Sequence, residues 1–349
     1  MCLLRTFVLW LRGNRKRFVR LILNLHLVLY TIFMCVIFYA WKTAGCPGFL
    51  DSYLCQPVSA ATFITGRSDT PGDFTRLMNL RNFSFLINNF HCNNSQVTLL
   101  ILIHSNTVNF EQRAMIRSTW GSVSDRYQLL FLLGTTNNEE TVMLLKVENE
   151  LYSDIIQGDF VDAYRNLTYK HVMGLKWANY FCPNAKYLLK TDDDVFINLP
   201  MLLKYLDGRS MNSTDKRLIL CQPEENARAC RSNRSKWKVK MSEYKFRSYP
   251  TFCPGYTILY SIDVVSTLYS LAQRSEYFWI DDVLITGILG LAAGFVPKSF
   301  GSLILSPSNM KRVNRGEIDI DKFLIGPPNI QQSDIRSLWW RTKVKNQRL

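Results

Sequence analysis

The chain has 349 residues, 47% hydrophobic and 20% charged, with a formal net charge of +14. That balance excludes a disordered chain and allows one large domain or two small ones. The surplus of base raises nucleic acid as a partner, but seven basic residues stand in the first 42 positions, where no acid occurs. After Lys42 the remaining charge reads as dispersed, without a glycine-rich phosphate loop, which argues against nucleic acid.

Residues 21–41, LILNLHLVLYTIFMCVIFYAW, are an apolar run of the length a bilayer-spanning helix needs. Six of the seven basic residues precede it, so the positive-inside rule predicts a cytosolic tail over 1–20 and a signal-anchor helix over 21–41. A cleaved signal peptide would have a shorter apolar core. Five sequons, at Asn82, Asn93, Asn166, Asn212 and Asn233, and seven of nine cysteines follow the anchor, as a lumenal body in an oxidising compartment requires. Seven is odd, so at least one thiol stays free or bonds another chain. No CxxC pair and four scattered histidines argue against zinc.

Residues 42–95 are rich in Thr, Ser, Asn, Gly and Pro and read as a stem, with a short helix near Phe74–Leu86. From residue 96 the pattern changes. VTLLILIHS is a strand covered on both faces, NFEQRAMIRSTWG a helix stopped at Gly121, and YQLLFLLG a second strand. An amphipathic helix over NEETVMLLKVENELY, a short strand at Asp154–Ile156 and a helix ended by Pro183 follow. Such alternation predicts an α/β domain over 96–349, with a mostly parallel sheet, helices on both faces and ligands at the carboxyl ends of the strands.

At that edge lies KYLLKTDDDVFINLP, residues 186–200, with Asp192, Asp193 and Asp194 between two apolar runs. Adjacent carboxylates on a tight loop are best compensated by a shared Mg²⁺ or Mn²⁺, usually with substrate phosphates completing the shell. A solvated acidic turn is the plainer alternative. A second pair, Asp281-Asp282, precedes a run of apolar residues and suits either a helix N-cap or a general base. Arg113 and Arg117 lie four apart, on one helix face.

RAMIRSTWG (113–121), DIIQGDFVDAYRNLTYK (154–170), CPNAKYLLKTDDDVFIN (182–198), SKWKV (235–239), YPTFCPGYTILYS (249–261) and DDV (281–283) stand in the order seen in glycosyltransferase family 31. The chain resembles the β-1,3-galactosyltransferases and β-1,3-N-acetylglucosaminyltransferases of that family over about residues 96–300. The resemblance implies a GT-A-type, Rossmann-like fold behind one transmembrane helix, and a type II Golgi membrane protein with a lumenal catalytic domain. It implies Mn²⁺ (or Mg²⁺), a donor that is UDP-galactose or UDP-N-acetylglucosamine, inversion at the anomeric carbon, and a glycan acceptor on glycoprotein or glycolipid. Homo- or hetero-oligomers stay open.

Carried over by position, Asp192 and Asp194 are the metal-binding outer members of a DxD motif, with Asp193 between them at the donor. Asp282 is the catalytic base. Arg113 and Arg117 support the nucleotide end, Lys190 contacts phosphate, and Trp237 and Gly255 line the pocket. The chain departs from the family at Asp281, where Glu is commoner, at Gly287, one residue late, and in having no histidine after His171. Water or another side chain would then complete the metal shell. A weakly catalytic relative that binds UDP-sugar or glycan as a partner subunit is the alternative.

Overall fold

In the computed structural model, which describes residues 74–89, 92, 97–122, 124–210 and 216–346, the apolar run at Leu99–His104 is strand β4, buried on both faces. Its alternate residues pack into cores on opposite faces, so the run is apolar throughout instead of alternating. Around it the strands in chain order are β1 Arg76–Leu77, β2 Leu80–Arg81, β3 Phe85–Asn88, β5 Tyr127–Thr135, β6 Ile155–Val161, β7 Tyr187–Asp192, β8 Ile219–Cys221, β9 Thr257–Ser261 and β10 Lys298–Ser299. Eight of them form one sheet in the order β10-β8-β9-β7-β4-β5-β6-β3. The central strands β7, β4, β5 and β6 are mutually parallel, as the alternating pattern predicts. Beyond them β3, β9 and the β8–β9 pair run antiparallel, so the sheet is mixed.

The helices are α1 Phe110–Ser118, α2 Glu139–Tyr152, α3 Leu167–Phe181, α4 Leu199–Ser210, α5 Ile262–Ala272, α6 Pro307–Arg315 and α7 Gln332–Asn346. They cover both faces and, among the described residues, make two large cores and a small one of Leu133, Leu145 and Ile155. Of the large cores, one gathers Leu100, Leu102, Trp177 and Leu188 with the face of α3 and α5; the other gathers Ile101, Ile103, Phe196 and Leu338. Alternate residues of β4 go to opposite cores, the period-two signature of a strand. Asn138 caps α2, its side chain accepting from Thr141 N at 2.8 Å, with Glu139 and Glu140 in the first turn.

Two expectations need correction. The helix expected near Phe74–Leu86 is instead the β1–β2 hairpin followed by β3, which pairs with β6 at the sheet edge. Leu77, Met78 and Phe83 are buried in the core, so part of the segment assigned to the stem belongs to the sheet domain. The apolar run VLITGIL, where the N-cap reading of Asp281-Asp282 implies an ordinary helix, is a π-helical stretch over Val283–Leu289. All seven of its residues are buried, and such stretches concentrate near functional sites.

Among the described residues no helix is long and apolar enough to cross a membrane, and the anchor expected over 21–41 lies outside them. Cys92 pairs with Cys182 and Cys221 with Cys253, while Cys230 is the free thiol among the described residues.

Candidate active site

Strands β4 and β7 run side by side in register, with the Cα of His104 opposite that of Asp192. Both therefore reach the same edge of the sheet, and the acidic triplet leaves from it. Downstream, Val195, Phe196 and Ile197 plunge into the core, with exposures of 0–1%. Backbone bonds fix the turn on three sides: Asp192 N to Tyr256 O, Asp193 N to His104 O, and Ile330 N to Asp194 O. The loop cannot relax its charges by swinging into water.

Its three carboxylates have separate fates. Asp193 turns inward, 9% exposed, and accepts from Ser105 Oγ at 2.6 Å and Asn109 Nδ2 at 2.9 Å. It anchors the loop rather than lining the main cavity. Asp192 and Asp194 face a cavity of about 580 Å³. Asp192 accepts from Lys190 Nζ at 2.7 Å, yet burial still pushes its carboxyl up. Asp194 is pushed up to about 6 by burial and by the adjacent charges of Asp192 and Asp193.

Asp281 and Asp282 line the same cavity. Asp282 does cap the π-helical stretch, its Oδ1 accepting from Val283 N at 2.8 Å, and also accepts from Gly255 N at Oδ2. The N-cap and the cavity-facing readings are thus both satisfied. Burial and the neighbouring Asp281 charge push Asp282 up to about 7. For Asp281 burial acts upward too, but the hydrogen bond from His171 and the charge of Lys190 outweigh it and hold the carboxyl below its ordinary value. Burial lowers His171, so it is neutral at pH 7. Its Nδ1 lies 2.8 Å from Asp281 Oδ2 and its Nε2 3.2 Å from Tyr260 Oη. With Asp281 ionised, Nδ1 carries the proton and Nε2 accepts from Tyr260.

One lysine and one glycine join the two acidic groups. Lys190 Nζ donates to Asp192 and also to the carbonyl of Gly255, whose amide donates to Asp282. A Cβ at Gly255 would sit 3.3 Å from Lys190 Nζ and 3.7 Å from Asp282, so any side chain there would crowd the bridge. The Cys221–Cys253 disulfide ties the segment carrying Gly255 to β8.

Trp237 lines the cavity, 53% exposed, with Lys236 Nζ 4.7 Å from its ring centroid. The arginines expected at the nucleotide end do not line it. Arg113 is fully buried, bonded to Glu148 at 2.7 Å and donating to Ser105 Oγ and to the carbonyls of Asn106 and Thr107. Arg117 joins Glu148 and Asp154, both at 2.7 Å, and stacks over Tyr152. The helix face was read correctly, but its charges are satisfied inside the protein. Arg113 reaches the acidic loop only through Ser105.

His104 escaped the sequence reading. It lines the cavity, is 6% exposed, and its Nε2 has no partner among the described residues. Its place at the carboxyl end of a central strand was the available signal. A second cavity of about 550 Å³ lies against the acidic loop and shares Asp194 and Asn329 with the first.

Among the described residues no cluster of three or more acidic, His or Cys side chains could hold a metal. Two carboxylates with raised pKa values, opposed by one lysine, still form an oxygen-donor set with uncompensated negative charge. That chemistry fits a hard divalent cation whose shell is completed by phosphate oxygens.

Residues 111–299 match the family model described as Galactosyltransferase. The lactosylceramide 1,3-N-acetyl-beta-D-glucosaminyltransferase of Rattus norvegicus is 34% identical over 226 residues, 61% of this chain and 59% of that one. Beta-1,3-galactosyltransferase 1 of Mus musculus is 34% identical over 216 residues, 60% of this chain and 66% of that one. The alignments thus span less than two thirds of these relatives. A solved galactosyltransferase, LgtC with donor and acceptor sugar analogues, is 10% identical over 69% of this chain and 95% of its own, at a TM-score of 0.35, too distant to argue from. The family model alone spans more than half of the sequence, and the chain belongs to the galactosyltransferase family.

Proposed function

We propose that the chain is a GT-A-type, inverting β-1,3-glycosyltransferase, moving galactose or N-acetylglucosamine from a UDP-sugar to a glycan hydroxyl in the Golgi lumen. The observation that carries this reading is the bridge Asp192–Lys190–Gly255–Asp282 across one cavity. It holds an ion-binding carboxylate and a candidate base in fixed relation, as a reaction needing both requires. The printed activities of the relatives support the same class.

Asp282 takes the proton of the acceptor hydroxyl. The oxygen then bonds to the anomeric carbon of the donor sugar from the side opposite the diphosphate, and the bond to UDP breaks with its electron pair. A carboxyl held near 7 suits a base that must accept a proton at neutral pH. Asp192 and Asp194 would hold a divalent cation, which supplies charge neutralisation for the departing diphosphate. Lys190 steadies Asp192 and adds positive charge from within the protein.

A donor screen of the full chain with several glycan acceptors, in Mn²⁺ and in EDTA, tests the reading. Transfer from one UDP-hexose in Mn²⁺ and loss in EDTA are expected. No transfer from any donor would favour the second reading, a UDP-sugar-binding partner subunit. The observation behind that alternative is the lack of a third metal-ligating side chain among the described residues.

A further inference from the structure

Residues 228–247, RACRSNRSKWKVKMSEYKFR, carry eight basic side chains and one acid, Glu243. Outside this segment and the first 42 residues, 27 basic and 27 acidic residues balance. The surplus charge of the body is therefore concentrated here, which corrects the expectation that it is dispersed. A charge run is ordinarily a solvated face, but this one forms part of the cavity wall.

The segment is an irregular cover with its own scaffold. Arg231 donates to the carbonyls of Val239, Tyr244 and Phe246, and Val239 and Tyr244 are buried beneath it. Glu243 is taken by Arg165. Arg228 and Lys236 are exposed, line the cavity beside Trp237, and form no ion pair among the described residues. The Lys236 ammonium lies between two rings, 4.7 Å from the centroid of Trp237 and 5.5 Å from that of Tyr164.

With Asp282 as base, the acceptor hydroxyl must enter this cavity, so Trp237 and its two cations border the acceptor. The donor diphosphate would meet Asp192 and Asp194 in the same cavity, where Lys190 already supplies a bonded cation, and neither Arg228 nor Lys236 pairs with those carboxylates among the described residues. We infer that the acceptor is an anionic glycan, its sugar ring against Trp237 and a sulfate ester or carboxylate paired with Arg228 and Lys236. The inference deepens the proposed reaction and rests on the assignment of Asp282. An aromatic face flanked by cations favours such a ring, whereas a neutral ring would leave both cations unmatched.

Paired acceptors that differ only by one sulfate and keep the 3′-hydroxyl free, such as lactose and its 6′-sulfate, decide the matter with the full chain. Two partly exposed ion pairs predict roughly fivefold tighter binding of the sulfated sugar at low salt, shrinking as salt rises. Calorimetry without donor reads this independently of turnover, and kcat/KM with donor should show the same ratio. Arg228→Gln with Lys236→Gln should bring the ratio to about 1, and Arg228→Glu with Lys236→Glu should invert it. Equal binding of both sugars by the native chain, or a preference that survives charge reversal, overturns the inference. Preferential binding without any transfer leaves it standing and removes the catalytic reading instead.

Discussion

Two groups of charge meet at the acidic loop, one closed on its α1 side and one partly exposed in the cavity, and their balance differs. On the α1 side, Arg113 and Arg117 meet Glu148 and Asp154, two cations for two anions, with hydrogen bonds around them. On the cavity side, Asp192, Asp194, Asp281 and Asp282 have one lysine bonded among them, Lys190, while Arg228 and Lys236 line the same cavity unpaired among the described residues. Burial would drive both groups toward matched charge if stability alone acted on them. The closed group obeys; the open one does not, and its deficit of positive charge is what a cation and a proton-transfer step would use. Matched charge marks scaffold here and unmatched charge marks the proposed site.

The largest effect should come from breaking the open group at its base. Asp282→Asn keeps the side chain's size, but its single oxygen can accept from only one of Val283 N and Gly255 N, and it cannot take a proton, so kcat should fall about 10³-fold. UDP binding by calorimetry should stay within a fewfold, because the proposed role of Asp282 is toward the acceptor rather than UDP. Normal turnover of the purified variant would end the assignment.

Breaking the closed group should cost stability instead. Arg113→Met leaves Glu148 with Arg117 alone and removes a donor to Ser105, which holds Asp193. A loss of about 3 kcal/mol in chemical unfolding is expected. The folded fraction should still bind UDP, since Arg113 is not in the cavity wall; loss of UDP binding in folded protein would restore the arginine to the nucleotide site.

Opposite pH slopes sharpen the contrast. Burial acts upward on Glu148, but its hydrogen bonds and charge contacts with Arg113 and Arg117 outweigh it and lower its pKa. Its contribution is thus complete above the ordinary carboxylate range and fades as pH falls. Asp282, raised to about 7, behaves in reverse: its stability term is whole below the ordinary range and is lost as pH rises through 7. Thermal melts should therefore show Asp282→Asn gaining on the native chain between pH 5 and pH 8. Activity runs the other way, since kcat/KM needs the ionised base and should rise with pH through about 7. His171→Ala would remove the donor that keeps Asp281 ionised, so the like charge beside Asp282 weakens. The activity limb should then move to lower pH, and kcat/KM at pH 7 should drop roughly two- to tenfold as the base weakens. An unmoved limb would reduce His171 to packing.

The sequence carried the open group further than the closed one, for a physical reason. Leu99–Ile103 and Tyr187–Leu189 are continuous apolar runs, as strands covered on both faces require, so the edge where Asp192 emerges followed from them. Arg113 and Arg117 share a helix face by local geometry, but Glu148 and Asp154 reach them from 31 to 37 residues away, through packing no period encodes. Val283–Leu289 is apolar at every position but Thr286 and Gly287, so it has no stripe from which a helix type could be read. β3 is too short, at four residues, to show its alternation against a polar background. In 228–247 the charge was visible, but only the fold shows that two of its side chains border Trp237 and Asp282.

The smallest effect belongs to a pair that resembles the closed group only in geometry. Arg126 Nη2 lies 2.8 Å from both carboxylate oxygens of Asp207 on α4, nearly as short as the 2.7 Å bonds to Glu148. Its side chains, however, are 45% and 55% exposed, so water screens the attraction and both long side chains lose freedom to hold it. Asp207→Ala should shift stability by at most about 0.5 kcal/mol, and less in high salt, with no change in activity. A loss approaching that of Arg113→Met would mean that distance, rather than burial and matching, sets the worth of an ion pair in this protein. The contrast between the closed and open groups would then lose its physical basis.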